Sequence, residues 1–496
     1  MQSHRFFLPL TFAVVFSFSL LGFEITSAEE FHVARSTPGA SDSNDGLSAT
    51  YTSDNHGPWK TLQHAAYNAQ AGDTVVVHKG NYRKEDTGWN EQTGFIWLDN
   101  SGTEGAPIRY VAAPGDRPLV HTFMLHNKSW IEIEGFWLVA DDFNLPHRWP
   151  RMPSVVVDDP SIVIDPAEAW ETREPKVRQK YSTYMALRDT LSSSYSNSID
   201  VKNSNHITIR KNVIRRYCFG IQVRGQSSDI LIDDNEITFC RDGIFSWNPS
   251  RSIVDSVIRN NTIEQCFISG MQIRQGAKNV LIENNTIRNT GISHISVLAE
   301  STDITIRGNR VLYGGYYTET MQYPGSSAIN VHTSSTGIVV DNNFAAYQVD
   351  LTGFDGNGII IDLMLDGAGV VVKNNICYRN MGSGIRTVES PNCVIEKNTL
   401  SLNGYQAVNS RAGAGVFLAR DSDVNQTVTD NLFFLNYHAG IKSFFTLGGQ
   451  KEIDRNSYWS FANVPLIWDG WLPEENSYFS IPEIQSETGF EANGSE

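Results

Sequence analysis

A short phrase that ends near a fixed asparagine recurs along this chain at intervals of 23 to 34 residues. One copy reads VLIENNTI over residues 280–287, with the recurring asparagine at position 285. A repeat of this length, with a strand-like phrase in every copy, is typical of a solenoid in which each coil packs on its neighbours. The asparagine stands at Asn212, Asn235, Asn261, Asn285, Asn309, Asn343, Asn375, Asn398, Asn431 and Asn456.

The apolar residues around each asparagine predict two strands that meet at a corner. Val280, Ile282 and Ile287 lie five and three residues before Asn285 and two residues after it. This period of two on either side of the corner indicates strands with one buried face. We expect the asparagines to stack, because an amide can donate to one neighbour and accept from the other, at about 1 kcal/mol per bond. Asparagine also favours turns, but that preference alone does not explain ten copies in one register.

The negative net charge argues against polyanionic partners. The chain has 496 residues, a formal net charge of −16 and a sequence pI of about 5.2. We therefore expect no nucleic acid and no anionic membrane as a partner of the whole surface, although a local basic groove is compatible with this charge. We expect a monomer, because a repeat array buries its core between its own coils.

The five cysteines have two interpretations. Cys218, Cys240 and Cys266 fall at matching places in three successive coils, and Cys377 and Cys393 fall on inward positions. Disulfides or a metal site are one interpretation. We favour the other, small buried side chains, since the chain contains no Cys-x-x-Cys pair and no His-rich metal spacing.

The composition divides the chain into five segments. An apolar run over 10–23 follows His4 and Arg5, and small residues at 26–28 precede a predicted cleavage point. We therefore expect a secreted or periplasmic protein that has no membrane association after this signal is removed. The segments are 1–28 (signal peptide), 29–138 (N-terminal cap and first coils), 139–195 (insertion loop), 196–459 (coils) and 460–496 (C-terminal cover).

The segment 29–138 carries an ordered series of short motifs. They read SDSNDG at 41–46, WKTLQHAA at 59–66, AGDTVVV at 71–77, GAPI at 105–108 and WIEIEGF at 130–136. This order resembles the opening of secreted right-handed parallel β-helix enzymes of the pectate-lyase-like superfamily. The resemblance implies an all-β fold, a right-handed parallel β-helix. The motif at 59–66 also opens an apolar helical face, which predicts an N-terminal helix that caps the first coil.

A second strand follows each asparagine corner, and stacking these strands gives two outward columns of side chains. The apolar residues point inward, so the residues between them point out. Neighbouring coils are separated by roughly 4.8 Å. The first column contains Asp200, Gln222, Phe245, Gln272, Ser296, Asn330, Ile360 and Arg386. The second contains Lys202, Arg224, Trp247, Arg274, Leu298, His332, Asp362 and Val388.

These columns predict a groove for an anionic polysaccharide. Arginine can pair a carboxylate through two parallel hydrogen bonds, and an indole offers a flat face to a sugar ring. The alternative is an ordinary solvated sheet face. The predicted substrate-binding residues are Lys202, Gln222, Trp247, Gln272, Asn330 and Arg386.

The family resemblance implies cleavage of uronic-acid polysaccharides by β-elimination. That reaction requires a neutralised carboxylate and a nearby base. We predict Arg224 or Arg274 as the neutralising group and His332 as the base, with Asp362 as its neighbour in the catalytic group. The chain lacks the calcium-binding aspartates with a catalytic lysine that pectate lyases carry. The sequence therefore specifies no cofactor and no metal ligands, and it leaves Ca²⁺ open.

Three other functions remain open at this stage. A glycoside hydrolase on the same scaffold needs two carboxylates roughly 5 to 10 Å apart. The acids near the predicted groove are Asp242, Glu300, Asp355, Asp362 and Asp366. A uronate epimerase shares the proton abstraction, and a non-catalytic glycan-binding protein needs only the groove.

Overall fold

The computed structural model confirms a parallel β-helix made of three long sheets. It describes residues 28–83, 94–140, 157–165, 168–194, 196–247, 252–322, 325–364, 369–405, 413–444, 447–471 and 474–496. The predicted signal segment, apart from its last residue, and Asp366 lie outside the described residues. Each full coil contributes one strand to each sheet, so chain segments 23 to 34 residues apart become neighbours.

Sheet A has 14 parallel strands and contains the strand that precedes each asparagine corner. Its strands, in spatial order, are Glu30–Val33, Thr74–Val77, Ile108–Ala112, Ser129–Glu134, Asn205–Arg210, Ser227–Asp233, Ile253–Arg259, Lys278–Glu283, Thr302–Arg307, Val339–Asp341, Val371–Lys373, Val394–Glu396, Thr427–Thr429 and Glu452–Asp454.

Sheet B has 12 parallel strands and contains the short strand that follows each corner. Its strands are Leu119–Val120, Trp137–Val139, Val213–Arg215, Glu236–Thr238, Thr262–Glu264, Thr286–Arg288, Arg310–Leu312, Phe344–Ala346, Ile376–Tyr378, Thr399–Ser401, Leu432–Phe434 and Ser457–Trp459.

Sheet C has 14 strands and carries both predicted outward columns. All its neighbouring strands are parallel except the last pair, which is antiparallel. Its strands are Phe95–Trp97, Thr122–His126, Asn197–Lys202, Phe219–Arg224, Asp242–Trp247, Ser269–Arg274, Ser293–Leu298, Ser327–His332, Asn357–Asp362, Ile385–Val388, Val416–Leu418, Ile441–Ser443, Ile467–Trp471 and Glu474–Tyr478.

Branched aliphatic side chains fill the interior in aligned rows. Ile232, Ile258, Ile282 and Ile306 pair in register on successive strands of sheet A, and all four are fully buried. Rows of this kind suit a sheet position because a β-branched side chain packs well against its equals on a pleated surface.

The predicted asparagine ladder is present. The backbone N–H of Asn235 donates to Asn261 Oδ1 at 3.0 Å, and its side-chain amide donates to the same oxygen at 2.9 Å. The amide also donates to the Ile209 carbonyl at 2.9 Å. The pattern continues to Asn456, which donates its backbone N–H and its amide to the Glu491 carboxylate.

A second amide ladder, which the sequence reading did not predict, occupies the next corner of four coils. Gln348, Asn380, Asn403 and Asn436 each stand five residues after a ladder asparagine. The Asn380 amide donates to Asn403 Oδ1 at 2.9 Å, and the Asn403 amide donates to Asn436 Oδ1 at 3.1 Å. Two corners of the last coils are therefore held by stacked amides.

The five cysteines are buried and free, which confirms the interpretation as small interior side chains. Cys240, Cys266, Cys377 and Cys393 belong to the continuous apolar core. Cys218 packs outside it, with Phe219 and Phe245.

The two ends of the solenoid carry helices. The helix Leu62–Asn68 begins after Thr61, whose hydroxyl accepts from the His64 backbone N–H at 3.2 Å. Gln63 on this helix donates to the Trp97 carbonyl at 2.8 Å, which joins the helix to the first strand of sheet C. That this helix caps the first coil stays a prediction.

The predicted boundary at residue 459 is too early. The strand Ile467–Trp471 still pairs in parallel with Ile441–Ser443, so sheet C extends into the segment predicted as a cover. The repeat phrase is absent there because this last strand has no following asparagine corner. The helix Ile481–Thr488 and Glu491 close this end.

The insertion contains two helices, Trp170–Lys180 and Ser182–Ser194. They pack on Phe267 and Tyr317, which lie in the turns that lead into sheet C. Two short 3₁₀ segments are Thr318–Thr320 and Leu447–Gly449. Within the described ranges, no helix is long and apolar enough to cross a membrane.

Candidate active site on sheet C

The outer face of sheet C brings the predicted columns into register. Lys202, Arg224 and Trp247 pair on three successive strands. Phe245 pairs with Gln272, which places Arg274 beside Trp247 on the following strand. The inward residues between these positions are buried, and all are apolar except Ser246, so their neighbours must face outward.

The other half of the columns is also in register. Leu298 pairs with His332, and His332 pairs with Asp362. Ile360 pairs with Arg386, which extends the first column to the following strand. The predicted residues therefore form one continuous strip, and their roles in binding or catalysis stay predictions.

Unpaired positive charge lies at the start of this strip. Among the described residues, neither Lys202 nor Arg274 has an ion-pair partner, whereas Arg224 is paired with a carboxylate. Trp247 is 44% exposed and lies between Arg224 and Arg274. Two spare cations and an exposed indole can contact an anionic sugar polymer.

Arg224 forms a compact group with two residues that the sequence reading did not assign to the site. It donates from Nε to Asp200 Oδ1 at 2.8 Å and from Nη2 to Asp200 Oδ2 at 2.5 Å. His126 Nε2 lies 3.1 Å from the same Oδ2 atom. Asp200 is 1% exposed, and His126 is 20% exposed. The buried carboxylate thus fixes both a cation and an imidazole at the groove surface.

The Asp200 carboxylate is ionised in spite of its burial. Burial alone would raise its pKa, but hydrogen bonds from His126 and Arg224 and the charge of Arg224 lower the pKa below its ordinary value. Such charge-assisted bonds are stronger than neutral ones, which makes the group rigid.

The predicted pair His332 and Asp362 is in contact. His332 Nε2 lies 3.5 Å from Asp362 Oδ2, and His332 Nδ1 contacts the Thr333 hydroxyl. Burial raises the pKa of Asp362, while the nearby His332 acts in the opposite direction. Arg224 is not brought to this pair, because it is engaged with Asp200 on a distant strand.

Arg386 is fixed by a carboxylate rather than free. Its Nη1 donates to Asp355 Oδ1 and to the Phe354 carbonyl, both at 2.7 Å. Burial raises the pKa of Asp355 to about 6, even though Arg386 lowers it. The groove near His332 therefore contains two carboxyl groups, those of Asp355 and Asp362, with raised pKa values.

The remaining predicted binding residues are anchored by polar neighbours. Gln222 accepts from the Asn197 amide at 2.7 Å, and Gln272 donates to Asp242 Oδ1 at 3.0 Å. Asn330 pairs in register with Ser296 and belongs to the first column. The amides of Gln222 and Gln272 are therefore positioned before any ligand binds.

Several buried polar atoms along the strip make no hydrogen bond within the described chain. They are Asn197 Oδ1, Arg274 Nε, Asn330 Oδ1 and Asp362 Oδ1. Buried polar atoms are nearly always paired, so these four are exceptions within the described chain.

A calcium site does not fit the residues present in the described ranges. No group of three or more His, Cys, Asp or Glu side chains there converges in a way that could hold a metal ion. Calcium prefers six to eight oxygen ligands, and the carboxylates of sheet C are instead paired with Arg224, Arg386 and His332.

The sequence reading missed His126 because its strand precedes the insertion. The strand Thr122–His126 pairs with Asn197–Lys202, and residues 127–196 separate the two in the sequence. This separation is much longer than the repeat interval, so the interval did not indicate that the two strands are neighbours. The available signal was the alternation of apolar and other residues in Thr122–His126. Phe123 and Leu125 are buried, as are Ile199 and Val201 on the next strand.

Comparison with solved structures gives likenesses in fold. One is a lacto-N-biosidase of glycoside hydrolase family 136 from Eubacterium ramulus, 12% identical, covering 94% of this chain and 67% of that one, with a TM-score of 0.45. Another is a mannuronic-acid-specific family 6 polysaccharide lyase from human gut microbiota, 13% identical, covering 82% and 88%, with a TM-score of 0.44. A third is an alginate lyase from Paenibacillus sp. str. FPU-7, 15% identical, covering 68% and 91%, with a TM-score of 0.39. No curated protein matches the sequence.

The match to a family model is more extensive. The model of the right-handed beta helix region matches residues 182–345 and 317–457, which together span more than half of the chain. These ranges contain the asparagine corners and most strands of the three parallel sheets. The chain therefore belongs to the right-handed β-helix family.

Proposed function

We propose that this protein is an exported lyase that cleaves a uronic-acid polysaccharide by β-elimination on the outer face of sheet C. The observation that carries the proposal is the pair of cations without ion-pair partners in the described chain, Lys202 and Arg274. On a chain of net charge −16, two cations without ion-pair partners in one strip favour an anionic ligand.

The groove contacts suit a polymer of charged sugar rings. Lys202 and Arg274 can pair with substrate carboxylates, and the exposed face of Trp247 can pack on a sugar ring. Gln222 and Gln272 are held in place by Asn197 and Asp242 and can bind hydroxyl groups. A strip of rungs about 4.8 Å apart suits an extended chain rather than a small molecule.

The reaction follows from what such a substrate requires. A base removes the proton from the ring carbon that bears the carboxylate, and a nearby cation stabilises the negative charge that develops on that carboxylate. The electron pair of the broken C–H bond forms a carbon–carbon double bond, and the glycosidic C–O bond on the adjacent carbon breaks. The leaving oxygen takes a proton from water.

Export is part of the proposal and rests on the sequence of residues 1–28. A basic start, an apolar run and small residues before a cleavage point are typical of secretory signals. A polysaccharide substrate outside the cell is consistent with this location.

A glycoside hydrolase is the second candidate, favoured by the two carboxyl groups near His332. Burial raises the pKa of Asp355 to about 6 and also raises the pKa of Asp362. A hydrolase needs one carboxyl group that stays protonated as general acid and a second that acts as base or nucleophile.

The proposal is tested by incubating the mature protein with a panel of uronate polymers and neutral polysaccharides. We expect a new ultraviolet absorbance from the unsaturated product on at least one uronate polymer, with matching masses of the fragments. New reducing ends without this absorbance would instead support the hydrolase. Altered stereochemistry without cleavage would indicate an epimerase, and binding alone would indicate a glycan-binding protein.

A further inference from the structure

Two histidine–carboxylate pairs lie on the outer face of sheet C, six strands apart. One is His126 with Asp200, and the other is His332 with Asp362. At a strand spacing of about 4.8 Å they are separated by roughly 29 Å, so one sugar ring cannot contact both. Only one of them can supply the base at a given bond.

The surroundings of His126 supply spare positive charge. Lys202 pairs in register with His126 on the next strand, and Arg224 pairs with Lys202 on the strand after that. Lys202 has no ion-pair partner in the described chain, and the Nη1 atom of Arg224 is not used in its two bonds to Asp200. A substrate carboxylate placed beside His126 therefore meets Lys202, which has no ion-pair partner in the described chain, and the Nη1 atom of Arg224, whose charge is already paired with Asp200.

Among the described residues, the surroundings of His332 supply no cation without an acid partner. Leu298 precedes it in the column and Asp362 follows it. The nearby Arg386 is paired with Asp355 at 2.7 Å. Arg420 lies 3.8 Å from the carboxylate of Glu389. Each of these two described cations is matched by an acid, so a substrate carboxylate here would face the Asp362 carboxylate with no unpaired cation among the described residues.

The contacts of His126 favour one ring nitrogen as the free one. Nε2 lies 3.1 Å from Asp200 Oδ2, which can only accept, and 3.5 Å from Arg224 Nη2, which can only donate. The shorter contact, to an ionised carboxylate, favours Nε2 as the nitrogen that carries the hydrogen. Nδ1 then retains its lone pair. When Nδ1 takes a proton, the resulting imidazolium is stabilised by the Asp200 carboxylate.

We propose that His126 is the catalytic base of the β-elimination and that Asp200 is its positioning residue. This inference rests on the proposed lyase function and names the end of the groove where the bond is broken. The proton of the carbon that bears the carboxylate passes to His126 Nδ1, with Lys202 and Arg224 on that carboxylate. The C–H electron pair forms the double bond, the glycosidic C–O bond breaks, and water protonates the leaving oxygen.

The experiment compares His126→Gln with His332→Gln. Each variant removes an imidazole from the outer face of sheet C, on strands that are six positions apart. On the uronate polymer that the wild-type protein cleaves, His126→Gln is expected to lower kcat by roughly 100- to 10,000-fold with KM nearly unchanged. The loss in His332→Gln is expected to be at least tenfold smaller. His206→Gln, on sheet A, controls for loss of a histidine elsewhere and keeps wild-type activity.

A second measurement separates a catalytic role from a structural one. His126→Ala leaves space beside Asp200, and added imidazole is expected to restore part of its activity, whereas it leaves His332→Ala unchanged. Thermal unfolding of each variant shows whether it is folded. Full activity in a folded His126→Gln, or a larger loss in His332→Gln, overturns the inference while the lyase function stands. A wild-type protein that forms no unsaturated product on any uronate polymer overturns the lyase function itself.

Discussion

Asp242 lies on the outer face of sheet C, yet its side chain is fully buried. Burial raises its pKa to about 6, although Arg241 and Arg274 act in the opposite direction. The folded chain therefore binds this proton more tightly than the unfolded chain does. The stabilisation that this proton gives is fully present below about pH 4, and it is lost as the pH rises through about 6.

Asp242→Asn should stabilise the folded protein at pH 7 and have little effect at pH 4. Asparagine keeps the shape and the acceptor for Gln272 but has no charge to bury. The difference between the two pKa values corresponds to at most about 3 kcal/mol at neutral pH. Urea unfolding of both proteins at several pH values between 4 and 7 measures the difference. Asp421→Asn, at an exposed position, is the control, and an effect of Asp242→Asn that is equal at every pH would contradict the assignment.

Single residues of the groove were predictable where the repeat is regular. Lys202, Arg224 and Trp247 follow from a period of two and one inward apolar set per strand, and the structure places them in register. The pairing of Arg224 with Asp200 was not predictable, since it depends on side-chain directions rather than on spacing. His126 was missed because the insertion separates its strand from the coils that define the interval.

At the scale of structural elements, the asparagine ladder joins successive corners. Asn285 is fully buried and accepts from the Asn261 amide at 3.0 Å. Its own amide donates to Asn309 Oδ1 and to the Ile258 carbonyl, both at 3.0 Å. Removing one amide leaves partners above and below it unpaired inside the core.

Asn285→Ala is expected to lower the unfolding free energy by about 2 to 4 kcal/mol, because buried donors and an acceptor lose their partners. Lys278→Ala, at an exposed position of the same coil, should change stability by less than about 0.5 kcal/mol. Both are measured by thermal and urea unfolding. Equal stability of the two variants would show that the ladder contributes nothing beyond a turn preference.

The first ladder was predictable because asparagine fills every copy of its corner. The second was not, since only Gln348, Asn380, Asn403 and Asn436 carry amides there. In earlier coils the equivalent corner holds Cys240 and Cys266. Because earlier coils have cysteine at this corner and later coils have an amide, no single residue type marks the corner in the sequence.

At the scale of the whole molecule, the net charge of −16 opposes an anionic ligand, whereas the proposed site on sheet C contains two cations without ion-pair partners in the described chain. The proposed binding therefore depends on the position of a few cations rather than on total charge. The sequence predicted this strip, but the structure extends sheet C beyond residue 459, because its last strand follows the final asparagine corner without starting another repeat.

Lys202→Met with Arg274→Met should raise KM for the cleaved uronate polymer by roughly 10- to 100-fold, because two charge-assisted contacts are lost, and it should also lower kcat, because Lys202 is proposed to contact the reacting carboxylate. The matched double variant Lys278→Met with Lys451→Met removes the same net charge from exposed positions elsewhere and should leave KM unchanged. Steady-state kinetics at one ionic strength compares them. An equal rise in both would mean that total charge, not the groove, governs binding.

Each coil adds one strand to sheet C, so the number of coils sets the length of the outer face of that sheet. Residues 261–284 comprise one complete turn of the solenoid, with the strands Thr262–Glu264, Ser269–Arg274 and Lys278–Glu283. A tandem duplication of this cassette would add one more rung bearing Gln272 and Arg274 and lengthen the binding face by about 4.8 Å. The added copy of Asn261 would stack on the original Asn261 in the asparagine ladder, so the surrounding fold would not need to change. Duplication of a coil can thus change the length of the outer face of sheet C without moving the residues of the proposed site relative to their neighbours on the original strands.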